Sequence, residues 1–561
     1  MFVTNWISTT KIQKISEITN FFRHYFLSRT EVIMAKDNRR RLPAGIQSFK
    51  AIRAEGYLYV DKTDIIWQLV NHGDKYNYLS RPCRFGKSVL IDTLQAYFEG
   101  KKELFKGLKI MELEEKWNSY PVIRLDMSGA GADADSIKSY LNNIFKDYEK
   151  EYQVDVCVED SLSVRLDNII KAAYRVAGMP VCVLIDEYDS PLQHSWRTPE
   201  HEACTSVYRS VFAVFKMNDQ YEKFVFITGI TKFTQISLFS VLNDLTNISF
   251  LPEYAALCGI TEEEIGENFQ PELEKMAKRN NWTVQETHAN LKDYYDGYHF
   301  SDDNMVDIYN PYSLINALAQ SKLRNFWASS GATSLLSKFV KDIEIRLNDF
   351  EDCVILRNVI EMSDVTGGGA ELFLYQSGYL TFKSVEGNVY HLGFPNEEVK
   401  QALYECVLPA LTMRLETDTQ SLQAQLYLYL ENCDLEKAMK ALRALIADVP
   451  YSNKKLASMD MEERYRLIIS TILNAIGMRV DVERMLSTGR IDILVRATRY
   501  IYVIELKLKN NGGKEAAVQQ ILANQYMEPF QADKRQVVGL GIELDETGKG
   551  LLGWKEVKNI T

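Results

Sequence analysis

The stretch Val181-Cys-Val-Leu-Ile-Asp-Glu187 restricts this chain more than any other feature. Five apolar residues in a row, closed by two acids, suit a strand buried on both faces, as in a parallel sheet covered by helices. Short strand candidates recur at Tyr76–Ser80, Pro121–Met127 and Phe224–Gly229, and helical runs separate them: Val89–Phe98, Ile137–Tyr152 and Ser161–Val176. A capped helix start is expected at Asp61-Lys62-Thr63, ahead of Ile65, Ile66, Leu69 and Val70. Strand–helix alternation of this kind predicts an α/β domain.

The rest of the 561 residues leaves room for further domains. From about 260 to 447 the pattern is mainly helical, with Asp434–Ala447 clearly amphipathic, and it is interrupted by Asp296-Gly-Tyr-His-Phe300 and a strand-like Leu372–Phe382. Pro450–Asp460 reads as a linker, and the last hundred residues as helix, hairpin, helix and strand. The expected division is a peripheral extension over 1–41, an α/β domain over 42–260, a helical lid or connecting region over 261–449 and an α/β domain over 450–561. The two α/β domains are expected to have separate cores.

Composition excludes several classes. A 46% hydrophobic, 25% charged chain is globular rather than disordered. Its net charge of −11 argues against non-specific coating of nucleic acid, although a local basic groove is compatible with it. The longest uncharged apolar run, Val176–Ile185, falls far short of the ~20 residues of a membrane helix, so no membrane partner is expected. Eight scattered cysteines without a CxxC pair argue against a disulfide scaffold and fit a cytoplasmic protein. Residues 1–33 lack the pattern of a signal peptide, and Met34 precedes the basic run Lys36–Arg41, expected to be solvated.

Between a strand and a helix lies Ser80-Arg-Pro-Cys-Arg-Phe-Gly-Lys-Ser88. Gly86, Lys87 and Ser88 match the end of a phosphate-binding loop, in which backbone N–H groups and a helix N-terminus meet phosphate oxygens, lysine reaches the β/γ-phosphates and serine holds Mg²⁺. The first glycine of that pattern is replaced by Arg81, and Pro82 lacks an N–H. Asp186 and Glu187 end a buried strand at the edge where α/β sheets bind ligands. Asp186 is expected to hold Mg²⁺ and Glu187 to polarise the attacking water. Thr228, ending another strand, can sense the γ-phosphate. The expected nucleotide-binding set is Arg84, Gly86, Lys87, Ser88, Asp186 and Thr228.

Gly56-Tyr-Leu-Tyr-Val-Asp-Lys-Thr63, the Arg-Phe-Gly-Lys-Ser loop, Leu184–Asp189, Phe226–Phe233, Tyr295–Phe300 and Tyr309-Asn-Pro-Tyr-Ser313 resemble the AAA-ATPase-like family, in which the ATPase is joined to a C-terminal PD-(D/E)XK nuclease-like domain. The resemblance spans about residues 42–555. It implies ATP and Mg²⁺ as cofactors and nucleic acid as partner, DNA before RNA, with homo-oligomer formation left open.

Near the C-terminus, Thr488–Val495 and Tyr500–Lys509 alternate and predict a hairpin. Glu505 and Lys507 then share one face. The resemblance implies that Asp492 reaches the same edge and that Asp492 and Glu505 bind Mg²⁺ while Lys507 orients or deprotonates a water. It further implies a third carboxylate from the preceding helix, expected to be Glu463 rather than Glu462, and Gln520 from the following helix. Arg496, Arg499, Lys507, Lys509 and Lys514 give the segment a local positive bias that fits a phosphate backbone. Two other readings remain: a nucleotide-gated nucleic-acid-binding module without cleavage, and an ATPase-controlled toxin or defence effector acting on RNA. No histidine pattern supports zinc. His299 is expected to be a hydrogen-bonded turn residue and Cys83 to be unreactive.

Overall fold

The apolar runs become strands. The computed structural model describes residues 41–155, 160–196, 198–230, 245–328, 336, 353–362, 369–412, 416–447, 449 and 459–557. Tyr76–Ser80 (β1), Val122–Asp126 (β2), Val181–Asp186 (β3), Glu222–Gly229 (β4) and Thr246–Asn247 (β5) form a parallel sheet in the order β2-β3-β4-β1-β5. Every residue of β3 is buried, which is why the run carries no polar alternation. Thr63–His72 (α1), Lys87–Phe98 (α2), Ala134–Glu151 (α3), Leu162–Ala177 (α4) and His201–Met217 (α5) accompany the sheet. At the head of α1, Asp61 Oδ1 accepts from Thr63 N and Oγ1 at 2.9 and 2.6 Å. On α3, Ile137, Leu141 and Phe145 form the buried stripe of an amphipathic helix.

Ile260–Thr261 (β6) pairs with Ile308–Tyr309 (β7), and Val284–Tyr295 (α6) lies between them in sequence. The middle region is less purely helical than its sequence suggests. Cys353–Leu356 (β8), Thr381–Glu386 (β9) and Val389–Gly393 (β10) form an antiparallel sheet in the order β8-β10-β9. The strand-like segment Leu372–Phe382 divides: its first half belongs to a helix, Gly369–Ser377 (α7), and only Thr381 and Phe382 enter β9. Leu372, Phe373, Leu374, Gln376 and Ser377 are all buried, and a short run buried all round has no period to separate helix from strand. Glu397–Thr412 (α8), Glu416–Glu431 (α9) and Leu435–Ala447 (α10) follow.

The C-terminal part begins with Met461–Ala475 (α11), then Arg479–Leu486 (β11), Gly489–Arg496 (β12), Tyr500–Leu508 (β13), Gly513–Ala523 (α12), Gln536–Leu544 (β14) and Leu551–Val557 (β15). Its mixed sheet runs β11-β12-β13-β14-β15, antiparallel except for β13 and β14, which α12 connects. The expectation of separate cores fails. One apolar cluster runs from Ile185 and Phe226 of the first sheet through Phe382 and Leu403 to Ile493 and Leu540 of the last. A further cluster around Ile491, Val503 and Ile521 fills the other face of that last sheet.

Most of the N-terminal extension, the linker from 450 to 458 and residues 231–233 of the Phe226–Phe233 motif lie outside the described residues. Among those described, no helix is long and apolar enough to cross a membrane.

Candidate active sites

β1 ends at Ser80 and α2 begins at Lys87, so the loop between them sits at the carboxyl edge of the sheet against a helix N-terminus. Gly86 caps that helix at φ +91°; a Cβ there would meet no atom within 4 Å, so conformation rather than space requires the glycine. Lys87 is buried, its Nζ donating to Arg81 O at 2.8 Å and Pro82 O at 3.0 Å. Thr228 Oγ1 donates to Asp186 Oδ1 at 2.7 Å, both side chains buried at the ends of adjacent strands. Glu187 follows at φ +47°, uncommon for a residue with a side chain. Burial pushes its carboxyl up, and the Lys87 charge opposes that shift. Lys87, Ser88 and Glu187 line a cavity of about 530 Å³ whose other walls include Ile46, Lys62 and Tyr312. Arg84 is exposed, with its guanidinium 5.0 Å from the Tyr312 ring centroid.

Arg81, the departure from the usual loop pattern, is a buried pillar. Its Nη1 donates to Ser80 O and Ser249 O at 2.8 and 2.9 Å, and its Nη2 to Tyr254 O at 3.0 Å. The guanidinium lies 4.1 Å from the Phe300 ring centroid. Phe85 packs edge-on against Tyr298 and Phe300, at centroid distances of 4.7 and 5.2 Å. The Asp296–Phe300 motif therefore braces the loop from the middle region. His299 belongs to that brace: its ring meets Phe382 O and Asp307 Oδ1, each at 2.7 Å. Burial raises the Cys83 thiol, in keeping with an unreactive side chain. Arg81→Ala should leave those carbonyls without donors over a void, costing about 2–5 kcal/mol. Arg81→Lys should recover little, because a point ammonium cannot replace the fork. Urea unfolding checks this, and an unchanged midpoint in Arg81→Ala would contradict the bracing role.

In the C-terminal sheet, Ile493 pairs with Ile504, so the antiparallel register sets Asp492 opposite Glu505. Asp492 N donates to Glu505 Oε1 at 3.2 Å, and Leu506 N donates to Asp492 Oδ2 at 2.9 Å. Two acids in one cross-strand position repel. Glu505 has no exposed surface, and burial followed by the Asp492 charge pushes its carboxyl up to about 9. Its Oε2 is buried without a hydrogen-bond partner. A buried carboxylate oxygen lacking a donor, beside a second carboxylate, is a donor set that fits a hard divalent cation.

Glu462, the neighbour of the expected Glu463, reaches the end of β13. Glu462 Oε1 accepts from Leu508 N and Asn511 Nδ2, both at 3.1 Å, and its Oε2 lies 3.8 Å from Lys507 Nζ. Among the described residues no three His, Cys, Asp or Glu side chains form a ready metal cage. Gln520 lies half-buried on α12, with no hydrogen bond to Asp492, Glu505 or Lys507. The basic bias is partly used elsewhere: Arg496 pairs with Asp481 at 2.8 Å, and Arg499 donates to Glu431 O and Asn432 Oδ1 of α9 and its C-terminal turn.

Residues 43–239 match the family described as predicted AAA-ATPase, and residues 460–551 match the PD-(D/E)XK nuclease superfamily. The chain thus joins an AAA-ATPase-like domain to a C-terminal PD-(D/E)XK nuclease-like domain. It is 29% identical over 533 residues to an uncharacterized protein in the vnfD 5' region of Azotobacter chroococcum mcd 1, covering 92% of this chain and 99% of that relative.

Proposed function

We propose that this chain binds and hydrolyses ATP and that its C-terminal domain cleaves nucleic-acid phosphodiesters with Mg²⁺, DNA before RNA. The observation that carries the reading is the opposed pair Asp492 and Glu505, with Glu505 Oε2 buried and unpartnered beside it. Bound Mg²⁺ would polarise a phosphate oxygen and offset charge developing on it. Asp492 and Glu505 would be its protein ligands, with water and substrate completing the shell. Lys507, steadied by Glu462, would orient or deprotonate the water that attacks phosphorus.

In the ATPase-like domain, the backbone of Gly86 to Ser88 and the Lys87 amine would take the β/γ-phosphates, the amine exchanging a loop carbonyl for phosphate. Ser88 and Asp186 would hold Mg²⁺, Glu187 would orient water, and Thr228 would register the γ-phosphate through its bond to Asp186. Arg84 would guard the cavity mouth. The deciding assay is cleavage of plasmid, single-stranded DNA and RNA with Mg²⁺. No cleavage of any of them would refute the nuclease half.

The apolar cluster shared by both ends of the chain supports control of cleavage by nucleotide state. Coupling of this sort is worth about 1–3 kcal/mol. Cleavage rates without nucleotide, with ADP and with a non-hydrolysable ATP analogue should therefore differ about 5–150-fold. Equal rates would remove the regulatory role.

A further inference from the structure

We infer that Arg466 is the residue that grips the substrate phosphate at the C-terminal site, an inference that rests on the nuclease reading above. Arg466 lies one helical turn after Glu462 on α11, on the face turned toward the carboxylates. Its side chain is 11% exposed. Nη1 is ion-paired with Glu483 Oε1. Nε points toward Asp492 but stops 3.9 Å from its Oδ1, beyond hydrogen-bond reach, and is buried without an acceptor.

The acids around it are aligned. Val482 pairs with Ile493 and Arg484 with Ile491, so Glu483 falls opposite Asp492, which falls opposite Glu505. Glu483 holds φ +52° at that point, a backbone outlier of the kind that collects at functional sites. Two arginines pair with Glu483, and Arg466, 11% exposed, is far more buried than Arg490, which is 52% exposed at 3.0 Å.

One small region therefore holds two buried polar atoms with opposite needs. Once its proton is gone, Glu505 Oε2 wants a cation or donor, and Arg466 Nε wants an acceptor. A lone metal ion would satisfy Glu505 but face the guanidinium. A lone phosphate would satisfy Arg466 but face Glu483, Asp492 and Glu505. A metal ion carrying a phosphodiester oxygen satisfies both at once. That complementarity assigns Arg466 to a non-bridging oxygen of the substrate, leaving the metal to the carboxylates. Guanidinium suits the task because it stays charged and offers several donors in a fixed plane.

The test uses the full chain in a Lys507→Ala background, so that a fluorescent DNA duplex can be titrated with Mg²⁺ while cleavage is slow. Arg466→Gln should weaken Mg²⁺-dependent binding about 10–100-fold, the loss expected for a charge-assisted hydrogen bond. It should also lower the slope of log affinity against log salt by about one phosphate contact. Mg²⁺ binding without DNA, followed by calorimetry, should be unchanged or tighter. Arg466→Lys should recover part of the affinity and all of the slope, and it keeps the test available if the glutamine variant folds poorly. Unchanged DNA affinity and slope in Arg466→Gln, whatever its melting temperature, would overturn the inference and leave Arg466 as a clamp on Glu483. A wild type that cleaves while Arg466→Gln with Lys507 intact cleaves equally well would also overturn the inference and spare the nuclease reading. A wild type that neither binds nor cleaves nucleic acid with Mg²⁺ would overturn that reading and the inference with it.

Discussion

Glu505→Gln and Asp492→Asn should each abolish nucleic-acid cleavage while leaving ATP hydrolysis in place. Each change preserves volume and the nearby backbone bonds, since an amide oxygen can still accept from Asp492 N or Leu506 N. What disappears is a ligand charge, and the expected loss is at least about 10²–10⁴-fold, on the scale of a lost catalytic group. The metal-free fold should respond in the opposite direction. Glu505 is raised from 4.5 to about 9 in the folded chain, so between those values the folded state binds more protons than the unfolded one. Stability from this group is therefore fully present below about pH 4.5 and is lost progressively as pH rises toward 9. Without metal, wild type should fall behind Glu505→Gln as pH rises. With Mg²⁺, wild type should gain stability, most at high pH where the proton competes least, and the variant should gain little. Melting curves at pH 5, 7 and 9 with and without Mg²⁺, run beside the cleavage assay, read both effects. Undiminished cleavage by either variant would show that this pair is not the catalytic centre.

The second large effect is expected at Lys87. Removing its amine should weaken ATP binding about 10–100-fold, because one or more charge-assisted hydrogen bonds to phosphate are lost. Lys87→Ala also strips a donor from Arg81 O and Pro82 O, so its own stability must be measured alongside. Glu187→Gln supplies the contrast. It should bind ATP as wild type does and lose hydrolysis about 10²–10⁴-fold, since an amide cannot polarise the attacking water. At a ligand concentration one hundred times Kd, Mg²⁺-ATP should stabilise wild type and Glu187→Gln by about 2.7 kcal/mol and Lys87→Ala far less. Equal ATP affinity in wild type and Lys87→Ala would sink the assignment of this loop. Unaltered hydrolysis in Glu187→Gln would sink only its catalytic role.

Local pattern was a sound guide wherever one face or one edge decided the outcome. The buried run ending in Asp186 and Glu187, the Gly86-Lys87-Ser88 turn and the alternating hairpin that opposes Asp492 and Glu505 are each set by neighbours a few residues apart. Apolar runs and period-two alternation carry that information directly. The approach of Glu462 to Lys507 was not legible. Nearly every residue of α11 from Arg464 to Asn474 is buried, so the helix has no apolar stripe to fix its phase and to separate Glu462 from Glu463.

The sequence by itself determined the two α/β units, their order and the side chains proposed to meet phosphate or a divalent cation, because those depend on short-range pattern and residue chemistry. Only the tertiary structure decided how those side chains are held. Arg81 looks like a defect in a phosphate loop until Ser249, Tyr254 and Phe300, more than 160 residues away, supply its acceptors and its aromatic partner. Arg466 looks like any helix arginine until β11 and β12 bring Glu483 and Asp492 beside it. The shared core likewise appears only when distant apolar faces meet. A buried charge or an apolar face is specified by whatever covers it, and here that cover comes from remote parts of the chain.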